Sequence, residues 1–351
     1  MKEIIIVLDS LEYKIQEEKL KLALIDICNP IFVYTKYENQ LTELFQKTKY
    51  IGVFFTHITY WSLSLFYALN MLKYRKVKTI VCINPIVGIF YAALIRILGI
   101  HQTLTIAGFL FEPKKSHLYY NLRKEFVKFC YKKVDKIILY GESEKLLYSE
   151  IFKRLAEKFV FVQYGKDYNY TNIKTFEYPY SYISSGGRSN RDYQILCKAM
   201  KKMEKVPQYD CLVATRPECV TPAMINCGVK FVYGITLNQF GSFIKGSKLF
   251  VLPLKNTTIS AGHMSMMEAM SIRIPVIVTD IPAVRNYVNE DCVFFHRADD
   301  ADDLRIKIEY VMSHLESSEV QTKIENAWNL YHAEYSFQSL LKRIISVSAK
   351  K

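Results

Sequence analysis

Short apolar runs alternate with amphipathic stretches along the whole chain. In the first half, Glu3–Leu8, Pro30–Tyr34, Tyr50–Phe55, Thr79–Ile83, Thr103–Ala107 and Lys136–Tyr140 have the length and β-branched or aromatic content of buried strands. Between them Leu63–Leu72, Gly88–Leu98 and Tyr119–Lys133 repeat apolar positions at helical spacing. Val160–Gln163 closes this half. Tyr164–Tyr180 is polar, aromatic and aperiodic, with Gly165, Asp167, Asn169, Asn172 and Pro179, and reads as a linker. The rhythm then restarts. Tyr182–Ser184, Tyr209–Ala214, Lys230–Tyr233, Leu249–Leu254, Pro275–Thr279 and Val293–Phe295 are predicted strands. Asp192–Met203, Leu237–Ile244, His263–Ser271, Asp302–Ser317, Val320–Tyr335 and Phe337–Val347 are predicted helices. A strand–helix–strand rhythm of this kind predicts parallel, doubly wound sheets. The expectation is an α/β protein with two Rossmann-like domains, residues 1–165 and 181–330, joined by a linker at 166–180. A C-terminal helix within 331–351 is expected to pack back toward the first domain. In open sheets ligands bind at the carboxyl ends of the strands, which here are expected to face an interdomain cleft.

Length supports the division, since 351 residues exceed one ordinary core. Half the residues are hydrophobic and 23% are charged, a globular balance that excludes a disordered chain. No apolar run reaches the roughly 18 residues of a membrane span. The longest candidate, Ile80–Ile100, is broken by Asn84, Pro85 and Arg96. The N-terminal apolar run is too short for a signal peptide and reads as a first strand, so a cytoplasmic protein is expected. The eight cysteines form no Cys-x-x-Cys pair and sit in apolar runs, as buried reduced thiols do.

The net charge of +13 is concentrated. Between Ile51 and Lys136 there are thirteen Lys and Arg against three acids, interleaved with Phe109, Phe111, Tyr119, Tyr120, Phe126, Phe129 and Tyr131. Bases among large rings fit an anionic membrane surface. They fit equally a solvated basic face whose rings lie in the core. No nucleic-acid-binding motif accompanies them, and nucleic acid is not an expected partner.

Two stretches carry candidate chemistry. In Leu249–Asp280 a buried strand runs into a polar loop ending in Ser260, Ala261 and Gly262, and a helix starts near His263. Small residues at a helix start let an anion approach free backbone N–H groups, and the helix dipole favours negative charge there. Glu268, one to two turns on, is placed to accept hydrogen bonds from a ribose diol. The plainer alternative is an ordinary capped helix whose Glu268 faces water. In Tyr182–Tyr193 a short strand runs into Gly186 and Gly187, then Arg188 and Arg191. Glycines permit the turn and guanidinium groups match phosphate bidentately. Alternatively, this is a turn with two surface arginines. Both stretches follow strands of one domain, and the pair suits a diphosphate.

The second half resembles the group 1 retaining glycosyltransferases of GT-B architecture. Their Glu-x7-Glu strand–loop–helix, Ala-Met and Pro-Val-Ile-Ala-Thr-Asp are matched by Glu268–Ala269–Met270 and Ile274–Asp280. Their Gly-Arg with a following base is matched by Gly187–Arg188 and Arg191. Gln163–Asp167 is similar to their interdomain segment without its proline, and Asp300–Leu304 to a helix start. The first acid of the motif falls on Ser260, in a Ser-Ala-Gly-His form. Asp9–Ser10–Leu11–Glu12 stands where a glycine-rich acceptor loop is expected.

The resemblance implies a metal-independent hexosyltransferase acting with retention on a UDP- or GDP-sugar, with no cofactor. It implies that Arg188 and Arg191 hold the diphosphate behind Gly186 and Gly187, and that the Ser260, Ala261, Gly262 and His263 backbone meets diphosphate and sugar. Glu268 then binds ribose, and Tyr233 and Gly234 lie near the base. Arg191 and the helix start at His263 stabilise the leaving group. On the acceptor side the candidates are His57, after the Tyr50–Phe55 run, and Glu112, after Thr103–Ala107; a structural histidine and an ordinary surface charge are the plainer readings. The expected acceptor is a lipid-linked sugar or oligosaccharide in bacterial surface polysaccharide assembly, with the enzyme cytoplasmic or peripheral on the inner membrane face. A GT-B nucleotide-sugar 2-epimerase and a silent nucleotide-sugar-binding module are the competing expectations.

Overall fold

The structure is a computed structural model that describes residues 2–37, 50–111, 116–168, 176–203, 209–257, 259 and 261–349, with side chains in the second stretch from Phe55 onward. The chain divides into two compact units, Met1–Val162 with Leu341–Lys351, and Gln163–Leu340.

In the first unit, β1 (Glu3–Leu8), β2 (Asn29–Tyr34), β3 (Thr79–Cys82), β4 (Thr103–Ala107), β5 (Lys136–Leu139) and β6 (Phe159–Phe161) form one parallel sheet. Its order is β2-β1-β3-β4-β5-β6. β1 is buried from Ile4 to Leu8, as a strand covered on both faces must be. Its crossover helices are α1 (Glu17–Leu24), α2 (Tyr50–Asn70), α3 (Pro85–Ile97), α4 (His117–Tyr131) and α5 (Glu142–Ile151). Right-handed crossovers put α1 on one face of the sheet and α2 to α5 on the other. α3 starts on Asn84, whose side chain accepts from the Ile86 and Val87 N–H groups and donates to Tyr37 Oη at 2.9 Å. Thr35 Oγ1 donates in turn to the Leu8 carbonyl. This network closes the carboxyl ends of β1 to β3 with local partners.

The second unit repeats the plan with β7 (Tyr182–Gly186), β8 (Asp210–Ala214), β9 (Val229–Val232), β10 (Leu249–Leu252), β11 (Val276–Asp280) and β12 (Phe294–Arg297). The parallel order is β12-β11-β10-β7-β8-β9. Its helices are α6 (Tyr193–Lys201), α7 (Leu237–Lys245), α8 (His263–Ser271), α9 (Pro282–Arg285), α10 (Ala301–Ser313) and α11 (Ser318–Glu334), and α12 (Phe337–Ala349) follows. Ile183, Val213, Leu249, Val251 and Ile277 from the four neighbouring strands β7, β8, β10 and β11 meet Leu196, Leu304 and Ile308 in its core.

Four expectations need correction. Tyr50–Phe55 is no strand; it opens the 21-residue helix α2. A short apolar run has no periodicity that separates strand from helix, and no Gly or Pro lies between Phe55 and Asn70 to end the helix that the run opens. The run Leu249–Leu254 ends as a parallel strand at Leu252, and Leu254 instead pairs antiparallel with Arg191. Gln163–Asp167 is pinned within the second unit: Gln163 Nε2 donates to Asn286 O, Tyr164 N to Tyr287 Oη, and Lys166 N to Tyr335 O. Finally, the thiols are not all separate, because α6 and the turn before β9 bring the sulfurs of Cys197 and Cys227 together as a pair.

Candidate functional site

Sheet order decides where the second unit offers a site. The chain runs β7, β8, β9 toward one edge, then returns to place β10 on the other side of β7. The carboxyl ends of β7 and β10 therefore flank the topological switch point, where loops leave in opposite directions and open a crevice. The two loops are laced together. Asp192 N donates to Pro253 O at 2.9 Å and Lys255 N to Asn190 O at 3.0 Å, around the Arg191–Leu254 bridge.

Arg191 is held by three acceptors. Nε donates to Gly186 O at 2.8 Å, Nη1 to Ser189 O at 2.8 Å, and Nη2 to Ser265 Oγ at 3.1 Å. The last bond sets the guanidinium against the first turn of α8. Five N–H groups minus three bonds leaves two donors of the fork. The guanidinium lies over Gly187, where a Cβ would fall 2.5 Å from Nη2. Gly187 also has φ +111°, a region other residues rarely adopt. Its carbonyl is fixed by Tyr193 Oη at 2.7 Å and Thr215 Oγ1 at 2.8 Å. Arg188, one residue on, is exposed.

α8 begins at Gly262, which is left-handed with φ +84° and provides no side-chain cap. A Cβ there would press to 2.9 Å from Leu252. Among the described residues no side chain caps the first N–H groups of the helix, which starts beside the Arg191 head. His263 is buried against Tyr287, and its Nε2 is 3.1 Å from Ala283 O. A carbonyl only accepts, so Nε2 carries the proton. Burial lowers this imidazole to about 4, and it is neutral at ordinary pH with Nδ1 proton-free. Its side chain is thereby committed to packing. Glu268 is half-buried one turn further on. Burial raises its carboxyl to about 7, with the Lys166 charge pulling it back. Ala261 is buried, and Ser260 lies outside the described residues.

With this geometry in hand, residues 181–314 match the family model for glycosyl transferases group 1. The chain carries a group 1 glycosyltransferase domain. No curated protein matches the chain. Among solved structures, a glycosyltransferase from Rickettsia africae is similar with a TM-score of 0.63 and 15% identity, over 99% of this chain and 97% of that chain. Anabaena HepE in complex with UDP-glucose is similar with a TM-score of 0.63 and 12% identity, over 100% of each chain. Sucrose-phosphate synthase from Thermosynechococcus elongatus gives 0.63 and 13%, over 99% of this chain and 98% of that one. At these identities the likeness is one of fold: two parallel six-stranded units with flanking helices, the GT-B arrangement of Rossmann-like domains. The chain is an enzyme of the glycosyltransferase class.

Within the glycosyltransferase domain the structure gathers Gly186, Gly187, Arg191, Gly262 and His263 at one crevice. Tyr233 and Gly234 leave the carboxyl end of β9, two strands away on the same edge, and Tyr233 is exposed. The sequence patterns assign no role to three contributors: Ser265, Thr215 and Lys166. Each acts through a partner remote in sequence, and only for Ser265 does a hydroxyl in the first turn of a helix offer a hint. Thr279 is a further one. Its Oγ1 accepts from Leu254 N at 2.7 Å and donates to His296 Nε2 at 2.8 Å, bracing the strand end that carries the loop. The acceptor candidates fare differently. His57 lies on the exposed side of α2, not after a strand, because the run that precedes it is helical. Glu112 lies outside the described residues.

Proposed function

We propose that the enzyme transfers a hexose from a nucleoside-diphosphate sugar to a lipid-linked sugar acceptor, with retention of configuration, in assembly of a bacterial surface polysaccharide. The observation that supports the donor half is the Arg191–Ser265 bond, which fixes a guanidinium at an uncapped helix start on the sheet's switch point. In this reading the two remaining Arg191 donors, the exposed Arg188 and the first α8 amides share the diphosphate. Their positive field grows in value as the glycosidic bond breaks and charge collects on the leaving phosphate. The Arg191 fork is already oriented by three hydrogen bonds, so little reorganisation accompanies the reaction. Glu268 accepts from the ribose diol, Tyr233 and Gly234 border the base, and the backbone of Ala261–His263, continuing from Ser260, meets the sugar. Leaving-group stabilisation thus runs through the chain's own groups, with no metal or cofactor in the scheme. The acceptor is assigned to the first unit, and the basic window fits a cytoplasmic enzyme peripheral on the inner membrane face.

The test is nucleotide release from a panel of UDP- and GDP-sugars on bacterial lipid extract, with the product's anomeric configuration read by NMR. Free nucleotide with a retained anomer is expected. Sugar isomerisation without net nucleotide release would assign the chain to epimerisation instead. Binding of nucleotide sugar with no turnover on any acceptor would make it a binding module.

A further inference from the structure

Among the described residues of the first unit, none covers the outward side of the α2–α4 helix layer, although its chemistry asks for a partner. α2 carries no Asp, Glu, Lys or Arg in 21 residues. One of its rows packs toward the sheet with Ala68 and Ser64 buried. The opposite row, Ile58, Trp61, Leu65, Phe66 and Leu69, is exposed, Trp61 by 50% and Phe66 by 57%. α4 repeats the pattern: Val127, Cys130 and Tyr131 are buried, while Leu118, Leu122, Phe126 and Phe129 follow one another along the solvent side, Leu122 at 62%. α3 lies between the two and bridges to α4, with Phe90 ring to ring with Phe126 at 6.5 Å and Arg96 over Phe129 at 3.9 Å. All three are crossover helices to the same sheet face, so the two exposed rows belong to one surface. Apolar exposure on this scale marks an interaction face.

Charge selects the occupant. Crossover helices run against their strands, so α2 to α4 end at the same sheet edge. Lys73, Arg75 and Lys76 follow α2 there, Arg96 lies in the last turn of α3, and Lys132 follows α4. A hollow of about 470 Å³ opens at that edge between Lys78, His101, Lys132 and Lys133, with Asp135 as its acid. On α4 the acid Glu125 is already paired with Lys128 at 2.6 Å. A second copy would bring this basic rim against itself, and like charges oppose that. The geometry points to an anionic lipid bilayer: the exposed rows of α2 and α4 lie in the interface plane with their side chains among the acyl chains, and the rim bases meet lipid phosphates. Among the described residues no helix is long and apolar enough to cross a membrane, so α2 lies in the surface instead of spanning it. This deepens the peripheral-membrane part of the reading above and rests on it for the choice of a bacterial bilayer. It goes past charge attraction, because it requires insertion.

Trp61 provides the probe. The chain has two tryptophans, and Trp328→Phe leaves Trp61 as the reporter. The full-length W328F protein is mixed with vesicles of phosphatidylcholine containing phosphatidylglycerol, with and without brominated acyl chains. A blue-shifted Trp61 emission quenched by bromolipid is expected, persisting in part at high salt. Phe66→Ser and Leu122→Ser each lower vesicle partition by about tenfold, the scale of half-burying one such side chain. Both positions are exposed, so far-ultraviolet circular dichroism should be unchanged. UDP binding, followed by calorimetry in the same variants, should also be unchanged. Vesicle pelleting that salt abolishes, with no quenching, would overturn insertion. So would concentration-dependent self-association lost in the same two variants, which would assign the face to a second copy. Loss of UDP binding in a protein that still inserts would count against the donor-site reading alone.

Discussion

Glu268→Gln separates two opposed pH effects in α8. Burial raises the Glu268 carboxyl from 4.5 to about 7. Between those values the folded protein keeps a proton that the unfolded chain has released, so stability falls as pH rises through the window and the cost is complete above about 7. The displacement corresponds to about 3 kcal/mol as an upper bound. The side chain retains some exposure, which brings the expected effect to about 1–3 kcal/mol. His263 acts in the other direction. Burial takes it from 6.5 to about 4, so the unfolded chain gains the proton first on acidification, and stability rises with pH from about 4 to 6.5. The two slopes offset each other in the wild-type protein. E268Q removes one of them. Urea unfolding at a series of pH values should show the variant equal to wild type near pH 4 and more stable by about 1–3 kcal/mol at pH 8. Its own stability should climb between pH 4 and 6.5. A difference independent of pH, or a variant less stable at pH 8, would refute the claim that this carboxyl is desolvated. The same substitution tests the ribose assignment. Hydroxyl donors favour the ionised carboxylate, so wild-type UDP affinity by calorimetry should decline below pH 7, by up to about tenfold per pH step. E268Q should bind more weakly at pH 8 and lack that decline.

Arg191→Ala should weaken UDP binding by about 10–100-fold, the scale of one or two charge-assisted hydrogen bonds, as read by calorimetry. Arg191→Lys should not restore it, because one ammonium cannot reproduce a fork fixed on Gly186, Ser189 and Ser265; full rescue by Lys would overturn the assignment. Gly187→Ala puts a methyl 2.5 Å from Arg191 Nη2 at a φ of +111°, so both UDP affinity and melting temperature should drop. Wild-type affinity in this variant would show that the guanidinium position is irrelevant to binding. Thr279→Val strips Leu254 N of its acceptor and should cost about 1–3 kcal/mol in urea unfolding, while Thr279→Ser should recover most of it.

The recognisable parts of the site were those whose constraint is local. Gly187 and Gly262 are glycines because their own backbone angles and close neighbours demand it, and such positions stand out as punctuation between a strand and a helix. The start of α8 at His263 was legible because small residues precede an unbroken helical run. The positions that no local pattern marks depend on partners far along the chain. Ser265 meets Arg191 across 74 positions, and Tyr164 meets Tyr287 across 123. Gln163–Asp167 has linker composition, yet its backbone is bonded at several points. The misreading of Tyr50–Phe55 has a related cause. A strand buried on both faces and a helix apolar all round have the same local composition, and what distinguishes them is whether the chain has a sheet position to fill.

Composition and periodicity by themselves settled that this chain builds parallel sheets crossed over by helices, because the alternation of buried runs and amphipathic stretches admits few other packings. They also settled that bases gather in the first half. Tertiary structure alone decided which strands became neighbours, and so that the loops after β7 and β10 share one switch point with the Arg191 fork between them. It also decided which rings of the basic window are core and which are surface: Phe111 and Tyr131 are buried, whereas Phe126 and Phe129 are exposed. The physical reason is the same in both cases. Local sequence sets the conformation of a segment, but burial and partnership are properties of what the rest of the chain brings against it.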